Sequence, residues 1–163
     1  MAEVPGRTCG SCTACCKTHT IEDPAKNFFK PMGKWCEHCT PGTGCGIYEN
    51  RPPACAAFRC NWLQGFGKEE DRPDRRKVVM DYVSLPNLPE EGLIQLWEVA
   101  PGAMQSPYAK RMTRAALETG IITTHIYLSG RKKIFLPVKY LDRLDDLNIE
   151  EGFEFGTFDE LLR

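Results

Sequence analysis

The chain has 163 residues, of which 42% are hydrophobic and 26% charged, and its formal net charge is −1 at pH 7. This balance excludes wholesale disorder, and it gives no overall attraction to nucleic acid or anionic lipid. The length suits one domain, or one domain with a small appended module.

No membrane-directed segment is predicted. The longest apolar runs, such as residues 134–138, fall far short of the roughly 20 residues that a membrane-spanning helix needs. The first ten residues lack the apolar core of a signal peptide. We therefore expect a cytoplasmic protein without membrane contact, in a reducing compartment where structural disulfides are rare.

Residues 1–66 are predicted to form a loop-rich module that carries all nine cysteines. Glycine and proline recur through it and apolar periodicity is weak, so it would struggle to bury enough surface to offset its chain entropy. Metal binding can supply that stability, because the free energy of ligation becomes folding free energy.

Residues 67–163 are predicted to form a small α+β platform. The charged run 67–76 is interpreted as a linker or exposed turn. Strands are predicted at 77–85 and 93–100 from their β-branched and aromatic residues, with a turn-rich connection over 86–92.

One main helix is predicted after this second strand. Ser106 is the expected N-cap, Pro107 the first helical residue, and Gly120 lies just past the end. A β-hairpin follows over 121–138, and Thr157, with a glutamate three residues later, predicts a short final helix. The predicted fold class is therefore α+β: a cysteine-rich, loop-dominated metal-binding module packed, as one compact domain, on a small antiparallel sheet with one main helix.

The spacing of the cysteines points to metal ligation. Thiolates are soft ligands that select zinc, copper(I) or iron–sulfur clusters, and C-x-x-C lets two thiolates meet one metal from a tight turn. Cys9, Cys12 and Cys15 form two overlapping pairs of this kind, and Cys36 with Cys39 forms another. A disulfide framework is disfavoured, because the number of cysteines is odd and the expected compartment is reducing.

The number of thiols suits two zinc sites better than one, because a tetrahedral zinc ion takes four ligands. The adjacent pair Cys15-Cys16 is the expected point of division, since neighbouring side chains point in different directions. With so many thiols present, His19 and His38 are predicted to lie on the surface or behind the ligands, and His125 to have a core or surface role.

Basic residues near the cysteines could offset the charge of a thiolate centre. For Lys17 and Lys34 we favour ordinary solvated charge. For Arg51, which lies between Asn50 and two prolines, we favour a structural role.

An iron–sulfur cluster is the alternative to zinc. The C-x-x-C-x-x-C run that ends at Cys15 also has the spacing that holds a cubane cluster, with a remote fourth cysteine. The ferredoxin match is partial, because Cys16 follows at once, without the three-residue gap or a following proline. Spacing alone leaves zinc and iron open, and we expect zinc.

The pattern resembles the YkgJ family of bacterial cysteine-cluster proteins, which is named for a C-x-x-C-x-x-C-C run and described as a zinc- or iron-chelating domain. CGSCTACC matches that run, and CGIYENRPPAC looks like the family's C-x-I-Y…R-P-x-x-C block. The resemblance covers about Cys9 to Leu63 and leaves residues 67–163 unassigned.

Two cysteines depart from the family pattern. Cys39 stands where an apolar residue is expected, and Cys60 is an extra thiol after the block. We therefore leave Cys39 out of the predicted set, which comprises eight metal ligands: Cys9, Cys12, Cys15, Cys16, Cys36, Cys45, Cys55 and Cys60.

We expect a non-catalytic protein in which Zn²⁺ stabilises the module and the folded surface is available to a protein partner. The first alternative is an iron–sulfur protein with a redox or methyl-transfer-like role, although no G-x-G-x-x-G or phosphate loop accompanies the cysteines. The second is a zinc module that binds nucleic acid through basic clusters at 72–77, 110–114 and 131–133. The excess of acidic over basic residues after residue 60 disfavours nucleic acid. A thiol–disulfide oxidoreductase is disfavoured too, because no βαβ pattern precedes a C-x-x-C.

Overall fold

The computed structural model describes residues 6–85, 88–147, 149 and 151–163. The α-helices, in chain order, are α1 (Cys15–Thr18), α2 (Pro53–Ala57), α3 (Pro73–Arg76), α4 (Pro107–Glu118) and α5 (Phe158–Leu162). The strands are β1 (Ile21–Asp23), β2 (Phe28–Lys30), β3 (Cys39–Thr40), β4 (Gly44–Cys45), β5 (Val78–Leu85), β6 (Leu88–Glu98), β7 (Ile122–Ile126), β8 (Lys132–Phe135) and β9 (Phe153–Phe155).

Two short antiparallel hairpins give the cysteine-rich part its regular structure. β1 pairs with β2, and β3 pairs with β4. The second pairing places Cys39 opposite Cys45. Chain segments that carry cysteines are thus held close together by backbone hydrogen bonds.

A five-stranded sheet of order β5-β6-β7-β8-β9 forms the second part. β5–β6 and β7–β8 are antiparallel, whereas β6–β7 and β8–β9 are parallel. The α+β class is confirmed, but the prediction of a small antiparallel sheet is wrong, because the sheet is mixed. The physical reason is that α4 lies between β6 and β7 as a crossover connection, which lets neighbouring strands run in the same direction.

Local sequence signals correctly predicted the ends of α4 and the start of α5. Ser106 is the N-cap of α4, and its Oγ accepts a hydrogen bond from the Ala109 amide at 3.2 Å. Gly120 follows the helix with a φ of 78°, a conformation that favours glycine. α5 begins with the predicted capping box of Thr157 and Glu160.

Two segments differ from their predicted structure. β6 already begins at Leu88 rather than at residue 93, and residues 86–87 of the predicted connection lie outside the described residues. The charged run 67–76 is not a simple exposed linker, because it contains a 3-10 turn (Glu69–Asp71) and α3. Pro73 of α3 is buried, which fixes this run against the cysteine-rich part.

The two faces of the sheet pack against different parts of the chain. Val78 and Met80 of β5 face α4, in an apolar cluster that includes Tyr108 and Ala109. Val79 points to the opposite face, as strand alternation requires, and packs with residues of the cysteine-rich part that include Cys60. The cysteine-rich part therefore lies directly on the sheet. The boundary between 1–66 and 67–163 stays a prediction.

No helix in the described part of the chain is long and apolar enough to cross a membrane.

Candidate metal centre

One cavity of about 260 Å³ collects cysteines from the whole N-terminal part of the chain. The cysteines that line it are the eight predicted ligands: Cys9, Cys12, Cys15, Cys16, Cys36, Cys45, Cys55 and Cys60. Cys39 does not line it. The eight thiols that the sequence singled out thus line one cavity, and the Cys39 thiol lies next to it, hydrogen-bonded to Cys16.

All nine cysteines lie within the described residues and are present as thiols rather than disulfides. Cys60 is buried and the other eight are partly exposed. In the described parts of the chain, no group of three or more His, Cys, Asp or Glu side chains is already arranged to hold a metal ion. The chemistry of the donor set fits a soft metal, but ligation would have to draw the thiols closer together.

A first neighbourhood contains the thiols of the N-terminal turn. The Cys12 amide donates to the Cys9 carbonyl at 2.7 Å, which closes the C-x-x-C turn. Both side chains pack against a buried cluster that contains Cys60, Trp62 and Leu63. Three cysteines therefore pack in one apolar cluster where this turn lies on the sheet.

A second neighbourhood is built around α1 and the β3–β4 hairpin. The Cys36 amide donates to the Cys16 carbonyl at 3.1 Å, and the thiols of Cys15 and Cys16 hydrogen-bond to each other. Cys45 and Cys55 interact electrostatically with Cys36. The adjacent residues Cys15 and Cys16 both line the cavity. Whether they divide between two ligand sets stays a prediction.

The environment of the thiols favours their protonated form. Burial raises the pKa of Cys12 to about 11 and that of Cys39 to about 12. The hydrogen bond that the Cys16 thiol donates to Cys15, together with burial, raises the pKa of Cys16. Burial, reinforced by neighbouring thiols, also raises the pKa values of Cys36, Cys55 and Cys60. Thiolates at neutral pH would therefore need a nearby cation.

Lys30 brings a buried ammonium group to the cavity wall. The residue is 3% exposed, and its Nζ donates to the Lys17 carbonyl at 3.1 Å and to the His19 carbonyl. Burial lowers the pKa of Lys30, whereas the charges of ionised cysteines, Cys36 foremost, would raise it. Nothing in the sequence singled this lysine out, because its burial depends on carbonyl groups at the end of α1.

Two of the basic residues near the cysteines, Lys17 and Arg51, donate hydrogen bonds to backbone carbonyls. Lys17 Nζ donates to the Val99 carbonyl at 2.8 Å, which ties α1 to the end of β6. The Arg51 guanidinium lies 3.8 Å from the centre of the Tyr48 ring and donates to the Tyr48 carbonyl at 2.8 Å. The structural role expected for Arg51 is confirmed by these contacts.

His19 follows α1 and also lines the cavity. Its ring packs between Phe58 and Trp97, with ring centroids 4.4 and 4.3 Å away. Nδ1 lies 2.7 Å from the Thr18 hydroxyl, whereas Nε2 is buried without a hydrogen-bond partner among the described residues. Burial lowers the pKa of His19 to about 4, so the imidazole is neutral at pH 7.

The other two histidines have different surroundings. The His38 side chain is 37% exposed, packs on Phe28 and does not line the cavity. His125 is buried in β7, where its Nε2 lies 2.7 Å from the Thr113 hydroxyl. The sequence left a core or a surface role open for His125, and the structure places it in the core.

The basic clusters considered for nucleic-acid binding are partly neutralised by their neighbours. Arg72, Arg76, Arg131 and Lys133 each contact a carboxylate. Arg114 donates to the Leu161 carbonyl at 2.8 Å. The charge of these side chains is therefore engaged within the fold, and nucleic-acid binding stays the disfavoured alternative.

Comparison of the chain with protein-family models, with curated proteins and with solved structures finds no match. The resemblance to the YkgJ family therefore remains a prediction from the cysteine pattern.

Proposed function

We propose that this chain is a non-catalytic metal-binding protein in which cavity cysteines ligate structural zinc as thiolates. The observation that carries the proposal is the convergence of eight thiols on one cavity. A cysteine that serves only as a small apolar residue has no reason to converge with seven others.

Zinc would supply the positive charge that these thiols lack. Five of them have raised pKa values that keep the thiols protonated at neutral pH, so ligation would displace their protons: Cys12, Cys16, Cys36, Cys55 and Cys60. More than two thiolates on one zinc ion give the centre a net negative charge. The buried ammonium of Lys30 lies where it would offset that charge.

The two neighbourhoods suit two ligand sets. Cys9, Cys12 and Cys60 belong to the first, and the second contains Cys15, Cys16, Cys36, Cys45 and Cys55. Metal in the first set would tie the N-terminal turn to Cys60, and metal in the second would tie α1, the β3–β4 hairpin and α2 to one another. Because these elements are only two to five residues long, such ties would stabilise a part of the fold with little apolar core of its own.

An iron–sulfur cluster is the second candidate, and a cavity of about 260 Å³ has room for it. A cluster also brings its own sulfide, which would fill more of this space. The proposed role would then be redox chemistry or catalysis, with thiols of the cavity as cluster ligands.

The test is elemental analysis and visible spectroscopy of the full chain purified without oxygen. We expect a colourless protein with one or two equivalents of zinc. Cys36→Ser should lower the metal content, whereas Cys39→Ser, three residues away in the same turn, should leave it unchanged. A brown protein containing iron and sulfide would support the second candidate. Absence of stoichiometric metal, or equal losses in both variants, would contradict ligation by the cavity thiols.

A further inference from the structure

The imidazole of His19 has one ring nitrogen that the fold leaves unused. Nε2 is buried and has no hydrogen-bond partner among the described residues, and the side chain lines the thiol cavity. A buried polar atom without a partner is unfavourable, and such atoms are rare in native proteins. The position of His19 on the cavity wall therefore points to a partner inside the cavity.

The other nitrogen of the same ring is held in place. Nδ1 lies 2.7 Å from Oγ1 of Thr18, a residue that is 1% exposed. When Nδ1–H donates to this oxygen, Nε2 presents a lone pair. Histidines that bind metals characteristically donate their second N–H to an oxygen in this way, which fixes both the tautomer and the ring orientation.

Two further contacts fix the position of the ring. Phe58 and Trp97 pack against it, so the imidazole has little freedom to rotate away. Cys15 lies one helical turn earlier, and the His19 amide donates to its carbonyl at 3.4 Å. Side chains four residues apart on such a turn lie on the same face, and both residues line the cavity.

We infer that His19 binds a metal ion in the cavity through Nε2, together with the Cys15 thiolate, so that the centre has mixed nitrogen and sulfur ligands. This inference rests on the proposed function and names a ligand that the sequence did not assign. The neutral imidazole would form its bond to the metal without losing a proton, whereas the Cys15 thiol would release one.

The test uses the full chain labelled uniformly with ¹³C and ¹⁵N and loaded with ¹¹³Cd²⁺, a soft ion that thiolates and imidazole both bind. We expect one imidazole to show ¹⁵N–¹¹³Cd coupling at Nε2. His19→Asn should abolish that coupling, and His38→Asn, the matched control outside the cavity, should retain it. Thr18→Val should weaken cadmium binding about 10- to 100-fold, because the ring loses the hydrogen bond that orients it.

The wild-type spectrum remains decisive even if a variant does not fold, because the coupled imidazole can be assigned by correlation with its own backbone. A ¹¹³Cd resonance typical of sulfur ligands, with no coupling to histidine, would overturn the inference and leave the proposed function standing. Failure of the full chain to bind cadmium through its thiols would overturn both.

Discussion

Asp81→Asn tests the contact between the sheet and the cysteine-rich part. Asp81 lies on the same face of β5 as Val79, and Trp97 Nε1 donates to its Oδ1 at 2.8 Å. Trp97 in turn packs against the ring of His19. Burial raises the pKa of Asp81 to about 6, although the hydrogen bond from Trp97 opposes the shift.

The expected free-energy change follows from the difference between folded and unfolded pKa. At about 1.4 kcal/mol per pKa unit, a rise from 3.8 to about 6 corresponds to about 3 kcal/mol. Because the residue is partly exposed, solvent screening reduces the expected effect to about 1–2 kcal/mol. The folded state binds the proton more tightly than the unfolded state, so the Asp81 contribution is most favourable below about pH 4 and is lost as the pH rises toward 6.

Urea denaturation of wild type and Asp81→Asn at pH 4, 5, 6 and 7.5 measures this change. The asparagine Oδ1 can still accept from Trp97, and comparison at each pH cancels effects that both proteins share, such as metal release. We expect similar stability at pH 4, and an advantage for the variant of about 1–2 kcal/mol at pH 7.5. Parallel pH profiles, or a less stable variant at pH 7.5, would refute the reasoning.

Three other predictions concern single side chains. Lys30→Met should lower the affinity for metal more than Lys30→Arg does, since only the first change removes the positive charge beside the thiols. Equal affinities of the two variants in a chelator competition would show that Lys30 does not offset thiolate charge. Burial lowers the pKa of His125 to about 4, below an unfolded value near 6.5, so stability should fall as the pH drops from about 6.5 to 4. His125→Gln should flatten that fall in urea titrations, and an unchanged slope would argue against it. Ser106→Ala should cost about 1 kcal/mol of unfolding free energy by removing the N-cap of α4, and an unchanged urea midpoint would argue against the cap.

The sequence predicted most accurately those features that depend on neighbouring residues. Ser106 and Pro107 located the start of α4, and Thr157 with Glu160 located α5, because helix caps are local patterns. The mixed sheet could not be predicted in the same way. Whether β6 and β7 run in the same direction depends on how α4 carries the chain across the sheet, which is a long-range property.

At the candidate site, cysteine spacing identified the thiols that line the cavity but not the groups around them. The burial of Lys30 depends on carbonyls of α1, and the position of His19 depends on Phe58 and Trp97, which are distant in sequence. A single lysine or histidine has no sequence pattern that predicts burial at the wall of a thiol cavity. The expected division at Cys15-Cys16 relied on neighbouring side chains pointing in different directions, and the sequence did not predict that these residues begin a helix.

The central claim is that sulfur atoms of the cavity bind a metal. X-ray absorption at the zinc or iron edge of the full chain, purified without oxygen, tests it most directly. We expect a stoichiometric metal whose nearest ligand atoms are mainly sulfur, at about 2.3 Å for zinc. A shell of oxygen and nitrogen alone, or no stoichiometric metal, would contradict it.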